Sequence, residues 1–227
     1  MKQQSVVTLD PIERQQKKDP GIIGRALITR PHGGKPIRPM DKFGHYLFAG
    51  KQGGGKTISA IWYAEKLTKK YKAKKKNVIL YSNLGLGFPI DKYTIFSTIN
   101  SLPPNDTDIR IVIIDEIQAY FPKDTRDKQT LLEIDKLVGL FSQLRKRTTY
   151  VLSTAQIYGR VNKALREQCL FMCHCRKSKI NNKIVTEFID GDDILCDELG
   201  RWSGRPKFIY THGLPKSKFD TKKIISA

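Results

Sequence analysis

With 227 residues, 39% of them hydrophobic and 28% charged, the chain has the composition of one globular α/β domain and is too short for two full ones. No window approaches the ~18 uninterrupted apolar residues of a membrane span, and the opening MKQQSVVTLDPIERQQKKDPG lacks the basic-then-apolar order of a secretory leader, so a soluble protein of the cytosol, or of a particle assembled there, is expected. The 41 Lys and Arg outweigh 22 Asp and Glu to leave a formal charge of +19. Such a field draws polyanions, nucleic acid before anionic lipid, unless it serves only to solvate the surface.

Residues 1–42 are polar and hold no sustained period of two or of 3.6, which predicts a basic N-terminal arm. Its second half, GRALITRPHGGKPIRP, sets Arg25, Arg30, Lys35 and Arg38 among glycines and prolines. That suits an extended segment across a neighbouring subunit or a phosphate backbone, or a disordered tail. GHYLFAG predicts the first strand, and KTISAIWYAEKLTKKY a helix with Ile58, Ile61, Trp62, Ala64, Glu65 and Leu67 at helical spacing. The helix runs into KKYKAKKK, which reads as a solvated helix end or as a binding patch, before the strand NVILYSN. IRIVIIDEIQAYFP is a nearly unbroken apolar run closing on two acids, as in strands covered on both faces. KQTLLEIDKLVGLFSQLRKR predicts a helix that buries Leu131, Leu132, Ile134, Leu137, Val138 and Phe141, and TTYVLSTAQ a further strand with a polar end.

The four cysteines fit a reduced compartment. Cys169, Cys173 and Cys175 crowd around His174 without the paired C-x-x-C of a structural zinc site, and Cys196 is distant, so CLFMCHC is expected to be a buried strand using cysteine as a small apolar residue. The tail predicts strands joined by turns, with Asp190-Gly191 as a hairpin turn. The expected architecture is α/β: a mainly parallel central sheet flanked by helices over residues 43–180, with C-terminal β additions over 181–227 completing the same domain.

Between the first strand and the first helix lies AGKQGGGKT, in which Gly50, Gly55, Lys56 and Thr57 satisfy G-x-x-x-x-G-K-[ST]. Glycines let the backbone wrap until its N–H groups point at phosphate oxygens, and the helix N-terminus adds a favourable dipole. Lys56 is expected on the β- and γ-phosphates and the Thr57 hydroxyl on magnesium, with Gln52, Gly53, Gly54 and Ile58 completing the cradle. Asp115, ending IVIID, is expected to hold magnesium through its hydration shell, and Glu116 to orient or deprotonate the attacking water. This acid pair, without the N-K-x-D of a GTP switch, favours a hydrolysing motor. Gln156, at the end of YVLSTAQ, is expected to sense the γ-phosphate or the water.

Over roughly residues 43 to 175, the Gly50–Thr57 loop, the IIDE strand and a strand closing on Gln156 resemble the FtsK/HerA superfamily of DNA-pumping ATPases, whose P-loop NTPase fold is RecA-like. In that superfamily an arginine near the end of the intervening helix commonly precedes the glutamine by eleven positions, and 156 − 145 = 11 falls on Arg145. Arg147 is its nearest rival, Arg160 or Arg166 would serve in a shifted register, and a basic helix end favoured by the dipole is the alternative for RKR. The resemblance implies ATP and Mg2+ as cofactors and a homo-hexameric ring with nucleotide held between neighbours. Arg145 would then be a finger that stabilises phosphoryl charge in the adjacent site.

DEIQAYFP and the compact length are similar to two viral branches: the genome-packaging ATPases of tailless icosahedral viruses with an internal membrane, and the zonula-occludens-toxin-like assembly ATPases of filamentous phages. The long basic arm and the lack of a span tilt the expectation toward packaging. Double-stranded DNA would be moved through the ring, in the cytoplasm or at a virion vertex, with capsid-vertex or membrane-associated packaging proteins as further partners. PKDTRDK, Pro122 to Lys128, is expected as a mobile contact. The rival expectations are an NTP-gated module that binds DNA or a capsid vertex, and an assembly factor acting on coat protein.

Overall fold

The computed structural model describes residues 39–91, 94–101, 108–179, 181–197 and 201–214. The expected arm lies outside them as far as Arg38, as does the tail from residue 215. In chain order the elements are β1 (Gly44–Ala49), α1 (Lys56–Ala73), β2 (Val78–Ser82), β3 (Phe88–Pro89), α2 (Thr94–Ser101), β4 (Ile109–Ile114), α3 (Ile117–Tyr120), α4 (Lys128–Phe141), β5 (Thr149–Ala155) and α5 (Lys163–Glu167). β6 (Cys169–Lys177), β7 (Ile184–Asp190), β8 (Leu195–Cys196), β9 (Trp202–Ser203) and β10 (Pro206–His212) follow.

Eight strands form one sheet in the order β10-β7-β6-β1-β5-β4-β2-β3, and β8 pairs with β9 in a separate ribbon. From β3 to β6 the neighbours run parallel, whereas β7 and β10 add antiparallel strands at one end. β1, β4 and β5 are buried along their whole length, which is why their sequences are apolar runs rather than alternations. α1 covers the face carrying Tyr46, Phe48, Tyr150 and Phe171, and α4 covers the face carrying Leu47, Val112, Ile114 and Val151. The register aligns Ala49 with Ala155 on one side and with His174 on the other, while Ile114 lies opposite Ser153. The chain therefore leaves β1, β4 and β5 at one common carboxyl edge, and there the motifs sit.

Cysteine behaves in β6 as the sequence suggests. Cys169, Cys173 and Cys175 are free and buried, and desolvation raises their thiol pKa values, that of Cys175 to about 12. No helix of the described residues is long and apolar enough to cross a membrane.

Two local expectations need correction. Helix α4 stops at Phe141, and residues 142–148 form turns before β5. Its inward face is Thr130, Ile134, Leu137, Leu140 and Phe141, leaving Leu131 and Leu132 exposed at 41% and 49%. The Asp127 side chain caps the helix by accepting from the N–H and the hydroxyl of Thr130 at 2.8 and 2.6 Å, and Thr130 begins the face that Ile134, Leu137, Leu140 and Phe141 bury in the core. Asp190-Gly191 is not a hairpin turn either. The chain enters a 3-10 turn over Gly191–Asp193 and makes the β8–β9 ribbon before β10 returns beside β7. Gly191 is required by close approach, since a Cβ there would lie 1.8 Å from the Cys169 carbonyl oxygen.

Candidate nucleotide-binding site

Ala49 delivers the chain to the carboxyl edge between β5 and β6, and the glycine-rich loop folds back over β6. A Cβ on Gly50 would sit 2.3 Å from the Cys175 carbonyl oxygen, so only glycine lets the loop lie flush against that strand. Gly54 N–H closes the turn onto the Lys51 carbonyl at 2.9 Å, and Gly55, left-handed at φ 89, opens α1 without a side-chain cap. The first-turn N–H groups of α1, from Lys56, Thr57 and Ile58, are thereby left to an anion. Gln52 and Gly53 lie at the exposed tip of the loop, and a Cβ on Gly53 would meet nothing within 4 Å.

Lys56 is only 7% exposed, and its Nζ reaches over the loop to the Lys51 carbonyl at 3.3 Å. A buried ammonium facing a neutral carbonyl is poorly compensated, and a phosphate in the loop would complete it.

Asp115 is 7% exposed at the end of β4. Its Oδ1 accepts from the Thr57 hydroxyl at 2.8 Å and from the Thr154 hydroxyl at 2.6 Å. The main chain of Asp115 is gripped from β2's end: Asn83 Oδ1 accepts from its N–H at 2.8 Å, and Asn83 Nδ2 donates to its carbonyl at 3.0 Å and to the Tyr120 hydroxyl at 3.2 Å. Thr154 also accepts from the Glu116 N–H at 3.0 Å. A hydroxyl and a carboxylate in direct contact are the hard oxygen donors that Mg2+ takes, so Thr57 and Asp115 fit that ion.

Glu116 turns the chain out of the sheet in the left-handed region, φ 54 and ψ 47, a conformation that costs a non-glycine residue and persists only where its surroundings impose it. Its carboxylate accepts from Gln118 Nε2, while Gln118 Oε1 is buried without a hydrogen-bond partner. Asn83, Thr154, Tyr120 and Gln118 were not singled out by motif spacing. The available signal was polarity at the carboxyl ends of β2 and β5, in strands that are otherwise apolar.

Gln156 follows Ala155 and is exposed at the same edge as the loop. Arg145 is not. It is exposed in the turn before β5, at the sheet's amino edge, so the seven residues of β5 separate it from Gln156 by about 23 Å at roughly 3.3 Å per residue. It does not join its own chain's site.

Two of its three rivals are engaged elsewhere. Arg147 donates to the carbonyl of Asn100 at 3.2 Å, and Arg166 reaches the Cys196 sulfur at 2.8 Å and lies over the Tyr158 ring. Arg160 is exposed, and its carbonyl accepts from Lys123 N–H at 2.9 Å. That bond, the Pro122–Val161 bridge and the Asp127 cap fasten both ends of the Pro122–Lys128 segment. On the other side of β1 from Asp115, Glu187 bonds His174 at 3.0 Å and Arg176 at 3.1 Å. The His174 hydrogen bond and then Arg176 hold its carboxyl below the usual range.

No protein-family model matches the chain, and no curated protein does. Solved structures to which it is similar include the N-terminal domain of zonular occludens toxin from Neisseria meningitidis, 14% identical with a TM-score of 0.49 over 77% of this chain and 96% of that one. The cytoplasmic domain of the Thermomonospora curvata type VII secretion ATPase EccC is 12% identical, with a TM-score of 0.47 over 77% of this chain and 24% of that longer one. The genome packaging NTPase B204 from Sulfolobus turreted icosahedral virus 2, solved with ATP-gammaS, is 10% identical, with a TM-score of 0.42 over 73% and 98%. Both lines that the motifs resemble are thus represented, as likenesses of fold at low identity. A mainly parallel sheet with the glycine loop, Lys56, Thr57 and Asp115 gathered at its carboxyl edge gives the chain the fold of a P-loop NTPase.

Proposed function

We infer that the chain is an ATPase that converts hydrolysis into movement of double-stranded DNA through a ring of its own copies, as a viral genome-packaging motor. The observation that carries the hydrolytic part is the Asp115 carboxylate shared by Thr57 and Thr154, with Glu116 fixed beside it. The Lys56 ammonium and the first-turn N–H groups of α1 hold the β- and γ-phosphates. Thr57 and Asp115 hold the metal. Mg2+, when bound, draws charge from the phosphoryl oxygens. Glu116 accepts a proton from water as its oxygen bonds to the γ-phosphorus, and the bridging P–O bond breaks with its electrons passing to the β-phosphate of ADP. Gln156, at the same edge, offers its amide to that water or to the γ-phosphate.

The ring part of the reading is supported by Arg145. Exposed at the far edge from its own loop, it would act in a ring on the site of a neighbouring copy, where a guanidinium stabilises developing charge. The test is ATPase turnover with and without duplex DNA, together with sizing in a nonhydrolysable ATP analogue. A ring that forms under those conditions and a large stimulation by DNA are expected. Slow turnover indifferent to DNA, with no assembly, would replace the motor by a nucleotide-gated binding module.

A further inference from the structure

α1 runs 18 residues from the loop, about 27 Å at a rise of 1.5 Å per residue, and ends in the densest positive charge of the described chain. Of the lysines there, Lys70 is paired with Asp41 at 2.8 Å, and Lys66 and Lys74 lie over the rings of Trp62 and Tyr71. Lys69, Lys72, Lys75 and Lys76 are exposed and have no acidic partner among the described residues. The helix C-terminus favours some positive charge. Yet Lys66, Lys69, Lys70 and Lys72 recur at spacings of three and four, where like charges weaken a helix, and the two nearby acids, Asp41 and Glu65, are outnumbered by them.

The turn beyond is fixed rather than loose. The N–H groups of Lys74, Lys75 and Lys76 bond the carbonyls of Tyr71, Lys72 and Tyr71 at 3.0, 2.9 and 3.0 Å, and Lys75 takes a left-handed φ of 56 to make the bend. These ammonium groups are therefore held at the sheet's amino edge, remote from the nucleotide loop.

We propose that this lysine-bearing end of α1 and its turn form a docking surface for the phosphate backbone of duplex DNA. The inference rests on the motor reading above and names where the chain would hold its track. Lys69 and Lys76 are on the order of 10 Å apart along the helix direction, a length over which duplex DNA offers several phosphates, one per ~3.4 Å of each strand. Membrane docking couples basic side chains to apolar ones that enter the interface. The large apolar side chains exposed among the described residues are Phe88, Leu131, Leu132, Ile157, Leu195 and Leu214, none of which belongs to this helix or turn.

The experiment compares the full chain with its Lys69→Gln, Lys72→Gln, Lys75→Gln, Lys76→Gln variant, measuring affinity for a duplex between 50 and 200 mM salt. If each lysine meets one phosphate, the slope of log affinity against log salt becomes shallower by about 3 to 4, and the corresponding four-arginine variant restores it. ATPase turnover without DNA is unchanged, since none of these residues approaches the loop. A glutamine variant with the wild-type slope overturns the docking surface while leaving the motor reading intact. A wild-type chain that hydrolyses ATP but binds no duplex removes both. A glutamine variant that loses binding to phosphatidylserine vesicles but keeps the wild-type DNA slope overturns the proposal in favour of a lipid surface.

Discussion

Replacing Thr154 with valine keeps the shape of a fully buried side chain and removes the two hydrogen bonds it makes with the acid pair, to Asp115 Oδ1 at 2.6 Å and from Glu116 N–H at 3.0 Å. The first is charge-assisted and contributes about 1.5–3 kcal/mol; stranding the second donor costs about 1–3 kcal/mol. The sum is about 2.5–6 kcal/mol. Thr154→Ser keeps the hydroxyl and loses one methyl, for about 1 kcal/mol. At roughly 2–4 °C per kcal/mol for a chain of this size, the valine variant melts on the order of 10 °C below wild type and the serine variant only a few degrees below. Turnover falls in parallel, by about 10- to 100-fold for valine and little for serine, because Glu116 loses the bond that fixes its backbone. Urea unfolding and steady-state ATPase rates on both variants decide the matter. A valine variant within about 1 kcal/mol of the serine one, with turnover intact, would show that Thr154 does not hold the pair.

Lys56→Ala is expected to abolish nucleotide binding and turnover, whereas Glu116→Gln retains ATP and stalls hydrolysis; equilibrium binding and single-turnover assays separate the two. Arg145→Ala spares binding but not activity, and mixing it with Glu116→Gln subunits restores part of the turnover, since intact fingers then face intact acids. A mixture inactive at every ratio would exclude action between copies. Burial pushes the His45 pKa down to about 3, so the imidazole is neutral in the fold. An unfolded histidine takes up a proton below about pH 6.5. The stability conferred by the neutral ring is thus complete above pH 6.5 and is lost as pH falls toward 3, by about 1.4 kcal/mol per pH unit. Unfolding free energies at pH 7, 6 and 5 should decline less steeply in His45→Gln.

The glycine loop and the strands β1, β4, β5 and β6 were legible because their signals are local: a fixed spacing, and apolar runs that only a doubly covered sheet can bury. The face of α4 was not. Ile134, Leu137, Leu140 and Phe141 pack into the core with the capped Thr130 in line, so Leu131 and Leu132 face outward, and composition alone cannot choose between two overlapping apolar faces. Asp190-Gly191 carried a turn signal whose physical cause was different, a strand passing too close for any side chain. In the site, Lys56, Thr57 and Asp115 are marked by motif and strand pattern, but Asn83 and Thr154 act through strand pairing across long sequence separations, which no linear window reports.

β5 carries Gln156 just beyond one end and Arg145 shortly before the other, with seven fully buried residues between. Bonded to β1 on one side and β4 on the other, that strand has no slack in which to absorb a change of side-chain volume, so an altered residue in its middle would disturb both edges of the sheet at once.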